Sequence, residues 1–333
     1  MTRAGGLRWI ALLATASAVA GCNVVQSSLA PSGDQAIAIH GVWTLMLWIC
    51  GPVYLLVLVA LGFALLRGRG SGHAVASERG IERALLLWTL VIAALLTVLT
   101  AASYAVDRRL HARTSDPLQV RVTAKQWWWQ VEYLGADPSR HLTTANELHL
   151  PVDRPARIEL RSADVIHSLW IPVLNGKEDL IPGHANEITM TPRAIGRYRG
   201  QCAEFCGLQH AHMALDVQVD DAAAFARWRA HQLTPSTTPT VATARVGQRI
   251  FESSACALCH TVRGTQAGGI TGPDLTHLAS RRTLAAGTLP LDRGTLTAWI
   301  ADPHHYKPGV NMPAVPMSAA QRSALVDYLL GLQ

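Results

Sequence analysis

Lysine is scarce in this chain. Lys125, Lys177 and Lys307 are the only three, and the other basic residues are arginines scattered along the sequence without a basic block. The formal net charge of +6 therefore does not gather into the stripe or patch that a polyanion requires, which argues against nucleic acid as a partner. No internal repeat is evident. Charge is missing altogether from two long stretches, Trp43 to Leu66 and Ala84 to Val106. Six cysteines would allow three disulfides in an exported protein. Four of them, however, stand in CxxxC and CxxCH settings, which points instead to metal and haem.

At 333 residues the chain has room for two or three domains, and its 49% hydrophobic content is concentrated in the first third. Arg3 and Arg8 precede an apolar run from Trp9 to Ala20, followed by Val19-Ala20-Gly21-Cys22. A basic start, a short apolar core and small residues read as an export signal. The small residues before Cys22 resemble a bacterial lipobox, where cleavage leaves a lipidated Cys22; the alternative is an ordinary signal with an incidental cysteine. The two uncharged stretches each reach the roughly 20 residues that cross a bilayer, with Pro52 as a kink site in the first. Arg67, Arg69, Arg79 and Arg83 fill the short loop between them, so that loop is expected to be cytoplasmic. Arg108, Arg109 and Arg113 flank the far side and oppose that signal. The export signal breaks the tie, placing everything after about residue 107 outside.

From Leu118 to about Val219 short alternating runs are separated by Gly, Pro and Asn: Val120–Val122, Ala156–Leu160, Glu187–Met190 and Leu215–Val219. This pattern predicts a β-sandwich or barrel, with Asp221 to His231 as a helix behind it. Gln232 to Ala244 has no charge and is rich in Thr, Pro and Ala, as expected of a linker. Beyond it the periodicity is helical over Arg245–Cys256, Leu291–Ala301 and Ala319–Leu332, with Ser318 as N-cap of the last.

Two clusters carry chemistry. The first is Cys202-Ala-Glu-Phe-Cys206-Gly-Leu-Gln-His210-Ala-His-Met213, with His167 arriving from another strand region. Thiolates, imidazoles and a thioether form a soft set suited to copper. A single blue-copper site needs only one cysteine, whereas two thiolates can bridge a pair of coppers; a plain Cys202–Cys206 disulfide is the alternative. The second cluster, Cys256-Ala-Leu-Cys259-His260, is the attachment signature of a c-type haem. His260 is then one axial iron ligand, and the other is expected to be a methionine or histidine. His212 is expected at the surface or behind the ligands, and His277, His304 and His305 in solvent.

The first cluster resembles the copper-A centre of subunit II of the haem–copper cytochrome oxidases. Supporting segments lie in order: Gln126-Trp127-Trp128-Trp129-Gln-Val-Glu132-Tyr133, Ser162-Ala-Asp164-Val-Ile-His167-Ser168-Leu-Trp-Ile-Pro172, and Ile181-Pro182-Gly183. The resemblance implies a cupredoxin-like sandwich in which Cys202 and Cys206 bridge both coppers. His167 and Met213 would complete one copper, and His210 with the backbone carbonyl of Glu204 the other. The Glu204 side chain would reach a magnesium ion at the interface with subunit I. Trp127 would be where electrons arrive from a cytochrome c. Asp164 would either help to dock that donor or cap a turn. Lys307-Pro-Gly-Val-Asn-Met312-Pro313 resembles the ligand loop of class I cytochromes c, making Met312 the second axial ligand with Met317 as competitor. Gly247 and Phe251 match the first helix of that fold and Tyr328 the last. Gly272-Pro273-Asp-Leu275 resembles the loop whose carbonyl binds the haem histidine.

The whole order resembles subunit II of a caa3-type cytochrome c oxidase. The implied divisions are an export signal (1–22), a transmembrane hairpin (40–107), a copper-A domain (115–231), a linker (232–244) and an all-α cytochrome c domain (245–333). Such a chain would sit in the bacterial plasma membrane with both metal domains outside. It would take electrons from a soluble cytochrome c or a quinol–cytochrome c reductase, and pass them from haem c to copper-A and on to subunit I. There, alongside other oxidase subunits, oxygen is reduced to water and protons are pumped. The fusion raises the local concentration of the cytochrome, so docking need not be tight. Two other readings use the same residues: the electron-donating subunit of a copper-A nitric oxide reductase, and a stand-alone membrane-anchored electron carrier. Leu85 departs from the resemblance, standing where the family has a glutamate three residues before Trp88-Thr89 at a proton-uptake site. Glu82 or another subunit must then serve. His184, where arginine is common, removes the basis for an ion pair with a neighbouring subunit.

Overall fold

The computed structural model describes residues 24–67, 77–110, 115–135 and 137–333. The expected export signal, with Cys22, lies outside the described residues, as do Arg69 and Arg113. The chain divides into two units, Gln35–Ser115 and, with residues 24–34, Asp116–Gln333.

Helices α1 (Asp34–Arg67) and α2 (Glu78–Leu110) make up the first unit. Both are long and apolar enough to cross a membrane. At 34 residues α1 is about 50 Å long, so the helices run past the uncharged stretches and carry charged residues at their ends. Pro52 stands inside α1. The hydroxyls of Thr44, Thr89 and Thr97 donate to the carbonyls four residues back, His40, Leu85 and Ala93. That pairing satisfies the polar groups of otherwise apolar helices.

The second unit begins as a sandwich of two five-stranded sheets. Its strands are β1 (Leu118–Lys125), β2 (Trp128–Leu134), β3 (Leu142–Ala145), β4 (Glu147–Pro151), β5 (Ala156–Ser162), β6 (His167–Trp170), β7 (Glu178–Leu180), β8 (Asn186–Met190), β9 (Gly196–Cys202) and β10 (Ala214–Asp220). One sheet runs β3-β2-β1-β5-β8 and the other β4-β10-β9-β6-β7. Every second residue of the long strands points inward: Leu118, Val120, Val122 and Ala124 on β1, Ala156, Ile158 and Leu160 on β5, and Leu215, Val217 and Val219 on β10. Each fully buried Val, Leu or Ile contributes about 1.5–3 kcal/mol, and the alternation fixes register, since a one-residue slip would expose the whole set. Helix α3 (Ala222–Gln232), capped by the Asp221 carboxylate, lays Phe225 and Trp228 on Tyr133, the Trp228 ring edge-on at 5.1 Å.

Residues 233–241 are coil, and α4 (Ala242–Ser253) opens the helical part. There follow α5 (Cys256–Cys259), the short antiparallel pair β11 (Thr283–Leu284) and β12 (Leu289–Pro290), α6 (Arg293–Ala301), α7 (Pro303–Tyr306) and α8 (Ala319–Leu329). Asp292 caps α6, and Ser318 with Gln321 forms a reciprocal capping box on α8. Helices α4 and α8 cross at Gly247, where an added Cβ would fall 1.9 Å from the carbonyl oxygen of Ala324. Phe251 and Tyr328 pack beside this crossing, ring centroids 5.8 Å apart.

Candidate copper and haem sites

The copper-type cluster is built where β6 and β9 pair and the chain turns back into β10. Register places Leu169 opposite Cys202. The loop is closed by Cys202 N–H donating to the Met213 carbonyl (3.0 Å) and Ala203 N–H to Ser168 (2.9 Å). Gly207 has φ +112°, and a Cβ there would meet the Trp127 ring at 3.1 Å, so this turn requires glycine. The Cys202 and Cys206 sulfurs are 3.7 Å apart, too far for a disulfide bond of about 2.05 Å. Cys202 Sγ lies 3.8 Å from His167 Nδ1 and 3.2 Å from the Glu204 carbonyl oxygen, and Cys206 Sγ lies 3.7 Å from His210 Nδ1. One ligand atom each from His167, Cys202 and Cys206 fall within 4.8 Å of one another. Met213 is buried beside them at the start of β10. The Glu204 carboxylate lies 3.8 Å from Lys177 Nζ.

Pairing with Cys206 holds the Cys202 thiol well below the ordinary range against the opposing effect of burial, and the same pairing with burial pushes Cys206 up. A soft metal that displaces the thiol protons would meet two sulfurs already placed 3.7 Å apart. Burial lowers the pKa of His167, but Cys202 and Asp164 outweigh it and the net shift is upward. Nε2 of His167 faces the Asp164 carboxylate at 2.8 Å, which leaves Nδ1 aimed at the sulfurs. Asp164 also accepts from the backbone N–H groups of Gln126 (2.6 Å) and Val165 (2.7 Å). Its place is therefore behind His167 as an orienting carboxylate, a role that neither sequence expectation named and that the Asp-x-x-His spacing could have suggested.

Trp127 is buried, and its Nε1–H donates to the Cys206 carbonyl at 2.9 Å, an oxygen that also accepts from Gln126 Nε2 at 2.8 Å. Trp129 is wholly buried, edge-on to His167 at 6.3 Å. Lys125 Nζ stands 4.8 Å over the Trp128 ring. His212 is exposed, with Nδ1 2.9 Å from Gln209 Oε1.

In the helical part, Cys256 and Cys259 occupy the single turn of α5 and His260 caps it. His260 Nδ1 is 2.7 Å from the Pro273 carbonyl, which fixes the tautomer and leaves Nε2 as the nitrogen that could ligate a metal. Gly272 is required here, since a Cβ would lie 2.7 Å from His260 Cε1. Met312 is half-buried in the 307–313 loop. Met317 packs against the apolar core formed by Phe251, Leu325 and their neighbours. His304 and His305 are exposed. His277 is not: its ring nitrogens face the carbonyls of Gln333 (2.7 Å) and Thr234 (3.0 Å), and it is buried. The expectation of exposure fails because the single N–H of the neutral ring meets a main-chain acceptor whichever nitrogen carries it, which makes burial possible.

The donor sets fit the groups they suggest, a copper centre in the first site and a covalently attached haem in the second. Comparison with known proteins agrees. A family described as cytochrome C oxidase subunit II, periplasmic domain, matches residues 134–220, and one described as cytochrome c matches residues 244–333. Cytochrome c oxidase subunit 2 of Alkalihalophilus pseudofirmus is 30% identical over 317 residues, covering 92% of this chain and 91% of that protein. The chain belongs to the cytochrome c oxidase subunit 2 family. The Bacillus subtilis subunit 2 is 31% identical over 75% of this chain and 72% of its own length. The periplasmic domain of subunit II of Bradyrhizobium japonicum cytochrome oxidase covers 36% of this chain and 95% of its own, at 29% identity and a TM-score of 0.34. Membership makes this a subunit of a membrane-bound oxidoreductase complex that assembles with subunit I, with a copper-A domain and a haem c domain fused as in the caa3 type.

In this subunit the haem domain rests directly on the copper loop. Gln209 Nε2 donates to the Pro308 carbonyl (2.8 Å), Ala214 N–H to Ala286 (2.9 Å) and Lys125 Nζ to Ile270 (3.3 Å). Arg281 reaches Glu147 at 3.5 Å and Arg282 reaches Asp216 at 3.7 Å. The Met312 loop touches Trp127: a Cβ on Gly309 would lie 3.6 Å from its ring and 2.8 Å from Leu208 Cδ1.

Proposed function

We propose that this chain receives electrons on its own haem domain and delivers them, through the contact at Trp127, to a binuclear copper-A centre and from there to subunit I. The observation that carries the reading is Trp127 itself. Its indole N–H is bonded to the carbonyl of Cys206, while its ring abuts the loop that carries Met312. Cys202 and Cys206 would bridge two coppers, completed by His167 and Met213 on one and by His210 with the Glu204 carbonyl on the other. The Glu204 carboxylate would face a magnesium ion shared with subunit I. Cys256 and Cys259 would hold the haem covalently, with His260 and Met312 as axial ligands. When bound, these groups each supply a one-electron redox couple. The residues of the chain hold them: Asp164 orients His167, Pro273 orients His260, and burial of Cys202, Cys206 and Met213 keeps water off the copper site.

The domain limits proposed are 1–22, 40–107, 115–231, 232–244 and 245–333, with α1 and α2 in the bacterial plasma membrane, the metal domains on its outer side and a lipid on Cys22. The donor is a soluble cytochrome c or the quinol–cytochrome c reductase, and oxygen reduction with proton pumping takes place in subunit I. The test is single-electron injection into haem c of the purified oxidase under anaerobic conditions. Re-oxidation of haem c should match reduction of the copper band in rate and amount. Haem re-oxidation without copper reduction would overturn the path.

A further inference from the structure

Lys307 is buried in the seam between the two metal domains. It is 2% exposed, and its Nζ donates to the carbonyls of Trp127 (2.9 Å) and His212 (2.8 Å) on the copper side and Ala285 (3.1 Å) on the haem side. An ammonium has three hydrogens and no acceptor capacity, so the three carbonyls use it fully. No salt bridge reaches Lys307 among the described residues. Burial pushes its pKa down to about 7, and the three acceptors favour the ammonium over the amine, which has one hydrogen too few. Beside it, Ala285, Ala286 and Gly287 are all left-handed, with φ of 53°, 56° and 76°. Two alanines in that region are strained and persist only where surroundings impose them. Here the surroundings are the docking contacts: Ala285 O takes the lysine, Ala286 O takes Ala214 N–H, and a Cβ on Gly287 would lie 2.9 Å from that of Ala214.

We propose that Lys307 is a positioning residue, a latch that holds the haem domain on the copper loop in the pose that transfers electrons. The inference rests on the electron path proposed above and adds how the path is kept closed. The segment joining the domains is itself tied down. Ser236 N–H donates to the Arg263 carbonyl at 2.9 Å, and Thr234 O faces His277 Nε2 at 3.0 Å. The domain therefore works docked rather than by repeated search at the end of a free tether. Removing the ammonium takes away the one donor shared by carbonyls of both domains, among them the buried carbonyl of Trp127, and cuts the tie between Met312's loop and Trp127. Because electron tunnelling falls off exponentially with distance, loosening this seam slows transfer without altering either centre.

The experiment uses the complete oxidase, unmodified and as Lys307→Met. Haem c is reduced by a photochemical pulse, and electron arrival at copper is followed with and without added glycerol. In the unmodified enzyme the rate should not change with viscosity. In Lys307→Met it should fall at least about tenfold, the equivalent in docking of one hydrogen bond to a charge, and become viscosity-dependent. The haem spectrum and copper paramagnetic resonance should stay unchanged, and amide exchange over 283–290 should rise. An unmodified enzyme slowed by viscosity, or a variant that transfers at the original rate with unchanged exchange, would overturn the latch. Should Lys307→Met not assemble, the viscosity response of the unmodified enzyme still decides. If no electron passes from haem to copper even in the unmodified enzyme, the path is wrong, and the exchange comparison alone judges the latch.

Discussion

Between Asp164 and Cys202 the two nitrogens of His167 have separate tasks, one toward the carboxylate and one toward the sulfur. Replacing Asp164 with Asn should therefore cost about 10- to 100-fold in copper affinity, the usual effect of losing such a partner, measurable by competition with a chelator. Met213→Leu should perturb the copper spectrum while leaving haem c intact; normal copper spectra would contradict the ligand assignment. Met312→Ala should turn haem c high-spin or recruit a new ligand, and an unchanged spectrum would shift the role to Met317. Cys202, Cys206, His210 and Met213 could be nominated as ligands from sequence because a single loop holds their spacing. Asp164's role was not, because two readings fit its position equally. Lys307 was invisible for a stronger reason: its partners are main-chain carbonyls, and one of them, at Trp127, stands 180 residues away.

At the level of elements, alternation and capping carried most of the information. Asp221 and Ser318 mark helix starts because their side chains take the free N–H groups of the first turn. The strand runs were visible because one face of each is buried. Boundaries suffered where composition misleads: α4 starts at Ala242, within the stretch whose Thr, Pro and Ala content reads as linker. The α4–α8 crossing is set by Gly247, and Gly247→Ala should destabilise the haem domain by about 1–3 kcal/mol through overpacking, seen as a lower thermal midpoint by haem absorbance. His277 gives a pH effect of definite sign. Burial first, with hydrogen bonds opposing, lowers its pKa. Its contribution is therefore complete above the unfolded value of about 6.5 and is lost as pH falls through the folded value. Thermal midpoints from neutral to mildly acid pH should fall more steeply for the unmodified chain than for His277→Gln.

Across the whole molecule, two redox signatures in one sequence implied two centres, and family membership bears out the order of copper domain and cytochrome. What the sequence could not convey is that the second domain is seated on the first, with carbonyls of both sides gathered on one lysine and Gln209 reaching Pro308. The electron path depends on both centres being present and of the stated kind. Paramagnetic resonance of the oxidised, copper-loaded and haem-matured region from about Ser115 onward tests that most directly. The account predicts hyperfine structure from one electron shared by two coppers, beside a low-spin haem. A mononuclear copper signal, or no copper signal, would contradict it.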